Sequence, residues 1–262
     1  MYAPNLPSPQ RGRQLYRTRL VFRSQPHRRR FIFNQLTLHF SLSLAGDKMI
    51  YKAAIFDMDG TLIDTLEDLA DSVNEMLAHY NRPPRTIDEV RMFVGNGAKI
   101  LMQRALESTD ENFINDALKY YDGCYKRRLL NKTKPYVGIV EVLETLNAQN
   151  IPVAICTNKQ HFAAIELAEK IFPAIKFAEV IGDAKKPNPA RALEIMEKIG
   201  VKPNEVAYFG DTSVDIETAK NAGFLPVGVT WGFRAETELI DSGAKIIIHS
   251  ADEILKLVDF GG

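Results

Sequence analysis

The sequence predicts an α/β fold, in which a doubly wound parallel sheet carries a helical domain inserted after its first strand. Short apolar runs alternate with amphipathic stretches, a pattern typical of parallel strands joined by helices. One long block, residues 64–134, shows helical periodicity instead. Several apolar runs end in polar motifs. Because ligands bind at the carboxyl edge of such sheets, these motifs indicate where a functional site lies.

Residues 52–56 are predicted to form the first strand, because they include β-branched and aromatic side chains in a run too short for helical periodicity. The run continues into Asp57-Met58-Asp59-Gly60-Thr61. Alternate residues of a strand share a face, so Asp57 and Asp59 point toward one site if extended geometry persists through Met58. Taken alone, the segment is also compatible with an ordinary acidic turn.

The helical block begins directly after this motif. Leu66, Leu69, Val73 and Leu77 recur at helical spacing, and Arg82-Pro83-Pro84 ends the helix. Two or three more amphipathic helices are expected, including residues 98–106 and 113–130. We interpret residues 64–134 as a cap domain, inserted into a core domain formed by residues 49–63 and 135–262.

The α/β pattern resumes after Lys134-Pro135 with a helix that starts at Gly138. A further helix is expected over residues 159–170. The remaining strands of the parallel sheet are predicted at residues 152–156, 177–181, 206–209, 225–229 and 245–248.

Three further polar motifs follow predicted strands or precede predicted helices. Thr157-Asn158-Lys159 ends the second strand, and Lys186-Pro187 precedes a helix. The strand at 206–209 runs into Gly210-Asp211-Thr212-Ser213-Val214-Asp215. If a helix begins near Thr212, Asp215 lies one turn in, within reach of a cation that Asp211 also binds. Two acid pairs, a hydroxyl and a lysine at strand ends predict a phosphoryl-transfer site.

The chemistry of phosphate accounts for each of these residue types. A phosphate dianion approaches clustered carboxylates only if a cation neutralises them, and Mg²⁺ prefers hard oxygen ligands. Asp57 can then attack phosphorus and form an aspartyl-phosphate, while Asp59 handles protons as acid and base. Thr157 and Lys186 are predicted to hold the phosphate oxygens.

This order of motifs resembles the haloacid dehalogenase superfamily of phosphatases, with DxDGT, a strand-terminal Thr, a Lys before Pro and GDxxxD. The resemblance spans residues 52–223, and it implies a Rossmann-like core with a helical cap. Two shorter segments, Val94-Gly95-Asn96-Gly97-Ala98 and Thr157-Asn158-Lys159, are similar to phosphoglycolate phosphatases. The segment Gly182–Pro187 is more compact than in relatives; the family pattern favours Lys186, directly before Pro187, as the phosphate-binding lysine, with Lys185 as the alternative.

Residue by residue, the resemblance implies the same roles as the chemistry, and it places Mg²⁺ at the carboxylates. The predicted catalytic residues are Asp57, Asp59, Thr157 and Lys186. The predicted metal ligands are Asp57, Asp59, Asp211 and Asp215. The predicted substrate-binding residues are Thr61, Asn158, Gly95, Asn96 and Gly97.

Substrate choice is expected to come from the cap. Gly95-Asn96-Gly97 precedes a predicted helix and can present backbone N–H groups to a carboxylate, although a flexible turn is an equal alternative. Lys99, Arg104 and Lys159 are candidate partners for a substrate carboxylate, but a solvated charged face is the more common explanation for any one of them. We interpret His161 as a residue of the helix surface.

We therefore expect a Mg²⁺-dependent phosphatase of a small phosphomonoester, with 2-phosphoglycolate as the favoured substrate. A phosphosugar mutase or other phosphotransferase, or a pyrophosphatase, is the alternative within the superfamily. A non-catalytic regulatory protein on the same fold is the alternative from another class, but Asp57, Asp59 and a Lys-Pro motif are all present.

Composition agrees with an enzyme of the reducing cytoplasm. The 262 residues carry 33 basic and 33 acidic side chains, but residues 49–262 hold 24 basic and 32 acidic ones, which argues against a nucleic-acid-binding body. No apolar run is long enough for a membrane span. Cys124 and Cys156 lack metal-type spacing, and Cys156 is interpreted as an apolar filler of its strand. We expect a monomer or homodimer.

Residues 1–48 form a basic leader with nine Lys or Arg and one acidic residue. Three interpretations compete: an organellar transit peptide, a nucleic-acid-binding arm, or upstream sequence before a natural start at Met49. We favour the third, because Met49 directly precedes the first strand, and we expect the leader to be disordered or non-native.

Overall fold

The computed structural model describes residues 51–257, and their architecture is a parallel sheet with helices on both faces. Predictions about the basic leader lie outside the described residues. The strands are Ala53–Phe56 (β1), Ile63–Asp64 (β2), Lys134–Pro135 (β3), Val153–Cys156 (β4), Phe177–Ile181 (β5), Val206–Gly210 (β6), Leu225–Val229 (β7) and Ile246–Ile248 (β8). The helices are Leu66–His79 (α1), Ile87–Phe93 (α2), Ala98–Leu106 (α3), Glu111–Arg128 (α4), Ile139–Ala148 (α5), His161–Ile171 (α6), Ala190–Ile199 (α7), Ser213–Ala222 (α8), Glu236–Asp241 (α9) and Ile254–Leu257 (α10).

The central sheet has six parallel strands in the order β5-β4-β1-β6-β7-β8. β1 lies between β4 and β6, with Phe56 opposite both Ile155 and Phe209. The residues that follow these three strands therefore meet at one edge of the sheet. This register brings Asp57, Thr157 and Asp211 together, although 154 residues separate the first from the last.

Alternate strand residues supply two apolar layers, one on each face of the sheet. Phe56 and Phe209 stack at 4.8 Å in one layer, which α5 and α6 cover with residues such as Leu143 and Leu167. Ile55 and Tyr208 face the other layer, which α7 and α8 cover. Each fully buried large side chain contributes roughly 1.5–3 kcal/mol through the hydrophobic effect. The strands are thus buried on both faces, as parallel strands require.

The helical block α1–α4 packs against the apolar layer that contains Phe56 and Phe209. Buried side chains such as Val73 of α1, Met102 of α3 and Ile114 of α4 belong to one continuous cluster with Phe56. The antiparallel pair of β2 and β3 aligns Asp64 with Lys134, so the chain leaves and re-enters the α/β part at adjacent points. This pairing supports our proposed boundaries at residues 64 and 134.

The predicted fold class is confirmed, and most predicted elements lie within two residues of their observed bounds. Two details differ. A short helix, α2, was not located individually, and it begins with a capping box in which Thr86 and Glu89 satisfy each other's backbone N–H groups. The helix expected from residue 159 starts only at His161, because Lys159 turns into the site.

The described helices also bear on membrane association. Within residues 51–257, every helix is too short or too polar to span a lipid bilayer.

Candidate active site

Three buried carboxylates form the floor of the candidate site. Asp57 follows β1, Asp211 follows β6, and Asp215 lies in the first turn of α8. One oxygen of each lies within 4.8 Å of the others. Such crowding of negative charge in a buried place is unfavourable unless cations compensate it.

Lys186 supplies one compensating charge. Its ammonium nitrogen lies 2.9 Å from Asp57 Oδ1 and also contacts Asp215, and its side chain is only 1% exposed. Lys185 is exposed, so the geometry selects Lys186 from the two candidates. Burial lowers the pKa of the Lys186 ammonium, but the charges of Asp215 and Asp57 outweigh this effect and raise it overall. The lysine is therefore a permanent cation beneath the carboxylates.

Asp211 is held by two hydrogen bonds from distant parts of the chain. Thr61 Oγ1 donates to its Oδ1 at 3.3 Å, and the backbone N–H of Phe233 donates to its Oδ2 at 2.7 Å. Gly60 has a φ of +84°, and a Cβ placed there would lie 2.2 Å from Asp211 Oδ2. Only glycine therefore allows the DxDGT turn to approach this carboxylate.

Asp215 is oriented by the start of α8. Its Oδ2 accepts from the backbone N–H of Thr212 at 3.1 Å and from Thr212 Oγ1 at 2.7 Å, which forms a capping box. Its Oδ1 contacts Lys186. Both oxygens are thus positioned before any ligand binds.

Asp59 lies apart from the three clustered carboxylates, so the structure does not bring it together with the other predicted metal ligands. Its carboxylate accepts from Lys159 Nζ at 2.8 and 3.1 Å and from Thr65 Oγ1 at 2.7 Å. These contacts hold it in the floor of the cavity beside Asp57, a position compatible with its predicted role as acid and base. The prediction of Asp59 as a side-chain ligand is not supported by this geometry.

Thr157 and Asn158 connect the other elements of the site. Thr157 is buried after β4, and its Oγ1 accepts from the backbone N–H of Lys159 at 3.2 Å. Asn158 accepts from the backbone N–H of Lys186 at 2.7 Å and donates to Gly95 O at 3.0 Å. The amide therefore links the backbone of Lys186 to the cap.

A cavity above these groups lies between the sheet edge and the helical block. Its polar floor includes Asp57, Asp59 and Thr157. Its walls are mainly apolar and aromatic side chains, together with glycines from the loop before α3. The wall residues from the cap are Leu69, Val94, Gly95, Gly97, Ala98, Leu101, Tyr121 and Tyr125. The cap therefore closes over the predicted nucleophile.

Comparison with known proteins agrees with this geometry. The family model for haloacid dehalogenase-like hydrolases matches residues 54–229. The chain belongs to the haloacid dehalogenase-like hydrolases. A phosphoglycolate phosphatase from Agrobacterium fabrum is 36% identical over 188 residues, which cover 69% of this chain and 81% of that protein. One from Pseudomonas putida is 35% identical over 214 residues, covering 78% of each.

Solved structures give the same result for the fold. The crystal structure of a predicted phosphoglycolate phosphatase from Haemophilus somnus matches with a TM-score of 0.74 at 30% identity, covering 80% of this chain and 98% of that one. This hydrolase is thus a phosphoric monoester hydrolase that resembles phosphoglycolate phosphatases.

The carboxylate cluster of this hydrolase fits a divalent cation. All three side chains offer hard oxygen atoms, the donor type that Mg²⁺ prefers. Asp57 Oδ1, although close to the Lys186 ammonium, accepts no hydrogen bond of good geometry within residues 51–257. A buried anionic oxygen in this state is available as a metal ligand.

The predicted cap contacts are only partly brought to the cavity. Gly95 and Gly97 line it, whereas Asn96 lies at a neighbouring polar cavity, where its Oδ1 accepts from Arg104 at 2.9 Å. Lys99 is exposed and pairs with Glu111. Asn96 and Arg104 contact each other, and Lys99 pairs with Glu111. These contacts argue against a direct role for Asn96, Lys99 and Arg104 beside Asp57.

The structure also bears on other assignments. Thr61 donates to Asp211 and does not line the cavity, so the structure gives it a supporting contact, and its assignment as a substrate ligand stays a prediction. Lys159 is not part of a solvated face, because its side chain is 3% exposed and paired with Asp59. His161 is exposed and Cys156 is buried in β4, as expected.

Sequence reasoning missed several residues that complete the site. Tyr125 of α4 accepts from Lys159, and Phe233 and Trp231 come from the loop after β7 to bind Asp211 and the backbone of Thr61. In the sequence, these aromatic residues look like ordinary residues of the hydrophobic core. Only the Thr157-Asn158-Lys159 motif carried a signal, because it placed Lys159 next to a strand end.

Metal binding should depend on pH in a direction set by the carboxyl groups. Burial and the charge of Asp215 together raise the pKa of Asp57 to about 6, although Lys186 opposes the shift, and the same two causes raise the pKa of Asp211 well above its ordinary value. Without a cation, the folded protein therefore retains protons that the unfolded chain releases. Its stability falls as pH rises from the ordinary carboxyl pKa near 3.8 through about 6.

We expect the gain in melting temperature from saturating Mg²⁺ to be small at about pH 5 and roughly 5 °C or more at about pH 7.5. The reason is that a cation binds the deprotonated carboxylates. Differential scanning fluorimetry with and without Mg²⁺ measures the gain. Asp211→Asn should abolish it. A gain equal at both pH values would contradict the assignment of these carboxylates as ligands.

Proposed function

We propose that this protein is a Mg²⁺-dependent phosphatase that hydrolyses 2-phosphoglycolate through an aspartyl-phosphate. The observation that carries the proposal is the buried group of Asp57, Asp211, Asp215 and Lys186 beneath a cavity that Asp59 also faces. Several of the most similar relatives bear the name phosphoglycolate phosphatase, which supports the choice of substrate.

In the first step, a carboxylate oxygen of Asp57 attacks phosphorus, and the bond from phosphorus to the leaving oxygen breaks. Mg²⁺ at Asp57, Asp211 and Asp215 would supply charge neutralisation that lets the phosphate approach. Lys186 and Thr157 stabilise negative charge on the phosphoryl oxygens, where preorganised charges contribute most of the catalysis. Asp59 gives its proton to the leaving alkoxide.

In the second step, the aspartyl-phosphate of Asp57 is hydrolysed. Asp59, now a carboxylate, takes a proton from a water molecule, and the oxygen of that water attacks phosphorus and releases Asp57. Lys159 and Thr65 hold the carboxyl group of Asp59 in position during both steps. The cap excludes bulk water from the cavity while the ester bond is cleaved.

The side chains of the cap are also consistent with a small substrate. Its cavity-facing side chains, among them Leu69, Leu101 and Tyr121, are apolar or aromatic and offer few partners for sugar hydroxyls. A leaving group as short as glycolate needs fewer polar contacts. A mutase or phosphotransferase would instead need the cap to bind a phosphorylated sugar.

A substrate panel tests this proposal. We expect 2-phosphoglycolate to give the highest kcat/KM, at least about tenfold above glucose phosphates, pyrophosphate and nucleoside monophosphates. Phosphate release is measured for each compound under identical conditions. A hexose phosphate or pyrophosphate in first place would retain the phosphatase assignment and remove phosphoglycolate as the substrate.

The same assay tests the cation. A chelator should abolish phosphate release, and Mg²⁺ should restore it, whereas Ca²⁺ should support little turnover because its shell is larger and looser. Full activity in excess chelator would contradict the role of Mg²⁺.

A further inference from the structure

Lys159 is a buried cation that faces the active-site cavity. Its ammonium nitrogen lies 2.8 and 3.1 Å from the two oxygens of Asp59 and 2.6 Å from the hydroxyl oxygen of Tyr125. Its side chain is 3% exposed. Among the described residues that line the cavity, it is the only one with a positively charged side chain. Catalysis by the mechanism above requires the proton of Asp59 but not, by itself, a buried lysine beside it.

The geometry of the proposed reaction directs the leaving group toward Lys159. Asp57 attacks phosphorus from one side, so the leaving oxygen departs on the opposite side, next to the proton donor Asp59. The group attached to that oxygen must therefore extend past Asp59. Asp59 accepts there from Lys159, and Lys159 in turn donates to Tyr125 of the cap.

We propose that Lys159, together with the hydroxyl group of Tyr125, binds the carboxylate of the substrate's leaving group and so selects anionic phosphomonoesters. This inference rests on the proposed phosphatase function. The ammonium provides the charge, and the Tyr125 hydroxyl, which accepts from Lys159, has its own proton available for a second acceptor.

The surroundings strengthen the selection. Leu69, Leu101 and Phe233 also line the cavity, and they offer no charge or hydrogen bond to a carboxylate. A carboxylate that entered this cavity without a cationic partner would lose its hydration and find no compensating positive charge among the other lining residues. Because Tyr125 lies on α4, the same contact joins the substrate to the cap and favours its closed position.

A matched pair of substrates separates carboxylate binding from general catalysis. 2-Phosphoglycolate and 2-hydroxyethyl phosphate differ in whether the two-carbon leaving group ends in a carboxylate or a neutral hydroxymethyl group. For Lys159→Met, we expect the ratio of kcat/KM for the two substrates to fall by between about 10-fold and 100-fold. Any loss from misplacing Asp59 affects both substrates and cancels in the ratio.

Three variants complete the experiment. Tyr125→Phe retains the ring and should lower the same ratio by several-fold, and Lys159→Arg retains the charge and should recover part of the ratio that Lys159→Met loses. Lys99→Met removes an exposed cap lysine that pairs with Glu111, and its ratio should match that of the unchanged protein. The activity of each variant on 2-hydroxyethyl phosphate also reports whether the fold is intact.

The outcomes are distinguishable from failure of the proposed function. An equal loss on both substrates in Lys159→Met would make Lys159 a positioning residue for Asp59 and overturn the inference, while the phosphatase assignment stands. An unchanged ratio in both Lys159→Met and Tyr125→Phe would also overturn it, and would favour the backbone N–H groups before α3 as the carboxylate site. Absence of phosphatase activity in the unchanged protein on every ester would instead reject the proposed function.

Discussion

Replacing Asp57 with Asn will lower kcat by about 10⁴-fold or more, because the side chain keeps its shape but loses the charge that attacks phosphorus. The fold should survive, since one of three crowded buried negative charges is removed. Steady-state phosphate release measures the rate, and circular dichroism checks the fold.

Asp88→Asn provides the control for this variant, because Asp88 is an exposed carboxylate that pairs with Arg91 on α2. It should leave kcat unchanged. Mass spectrometry of the Asp57→Asn protein must show that the amide has not reverted to the acid. A rate within tenfold of the unchanged enzyme would then contradict nucleophilic catalysis by Asp57.

Replacing Lys186 with Met will lower both activity and stability. Without a cation, three buried carboxylates lose their compensating charge, so the free energy of unfolding at about pH 7 should fall by about 3 kcal/mol or more. The value of kcat should fall by about 10³-fold, because a preorganised charge at the phosphate is lost. Urea unfolding in chelator and phosphate release in Mg²⁺ measure the two effects.

Lys185→Met is a closely matched control, since Lys185 is the adjacent residue but is exposed to solvent. It should change neither quantity appreciably. The loss of stability in Lys186→Met should shrink at lower pH, where the raised pKa values of Asp57 and Asp211 allow protons to replace the missing charge. Equal effects of the two substitutions would contradict the assignment of Lys186.

The interdependence of these groups explains why the site includes so many buried charges. Asp57 and Asp215 hold Lys186, while Asp211 is held by Thr61 and the backbone of Phe233. Asp59 has a separate set of partners, Thr65 and Lys159. Asp57 and Asp59, the proposed nucleophile and acid/base, therefore lie in one cavity but in different electrostatic surroundings, which suits their proposed roles.

Local sequence patterns were sufficient to predict the core of the fold. Runs such as 153–156 and 225–229 are apolar because parallel strands are buried on both faces, and the helical spacing from Leu66 to Leu77 reflects one buried face. The same patterns placed Asp57, Thr157 and Asp211 at strand ends, and adjacent strands then brought them to one edge.

Contacts between distant segments were not predictable in the same way. The choice of Lys186 over Lys185, the pairing of Lys159 with Asp59 and Tyr125, and the place of Asn96 beside Arg104 all depend on how loops and cap helices pack. None of these pairs has a spacing in sequence that signals contact, and Tyr125 looks like any buried aromatic residue of an amphipathic helix.

The sequence by itself thus determined the fold class, the order of the strands' polar ends and the four candidate carboxylates, three of which cluster, because these follow from periodicity and from short motifs within single elements. Tertiary structure alone decided which lysine lies under the carboxylates, that Asp59 stands apart from them, and which cap residues face the nucleophile. These properties depend on burial and on distances between segments far apart in sequence, such as Asp59 and Lys159, which are 100 residues apart, and no local pattern encodes them.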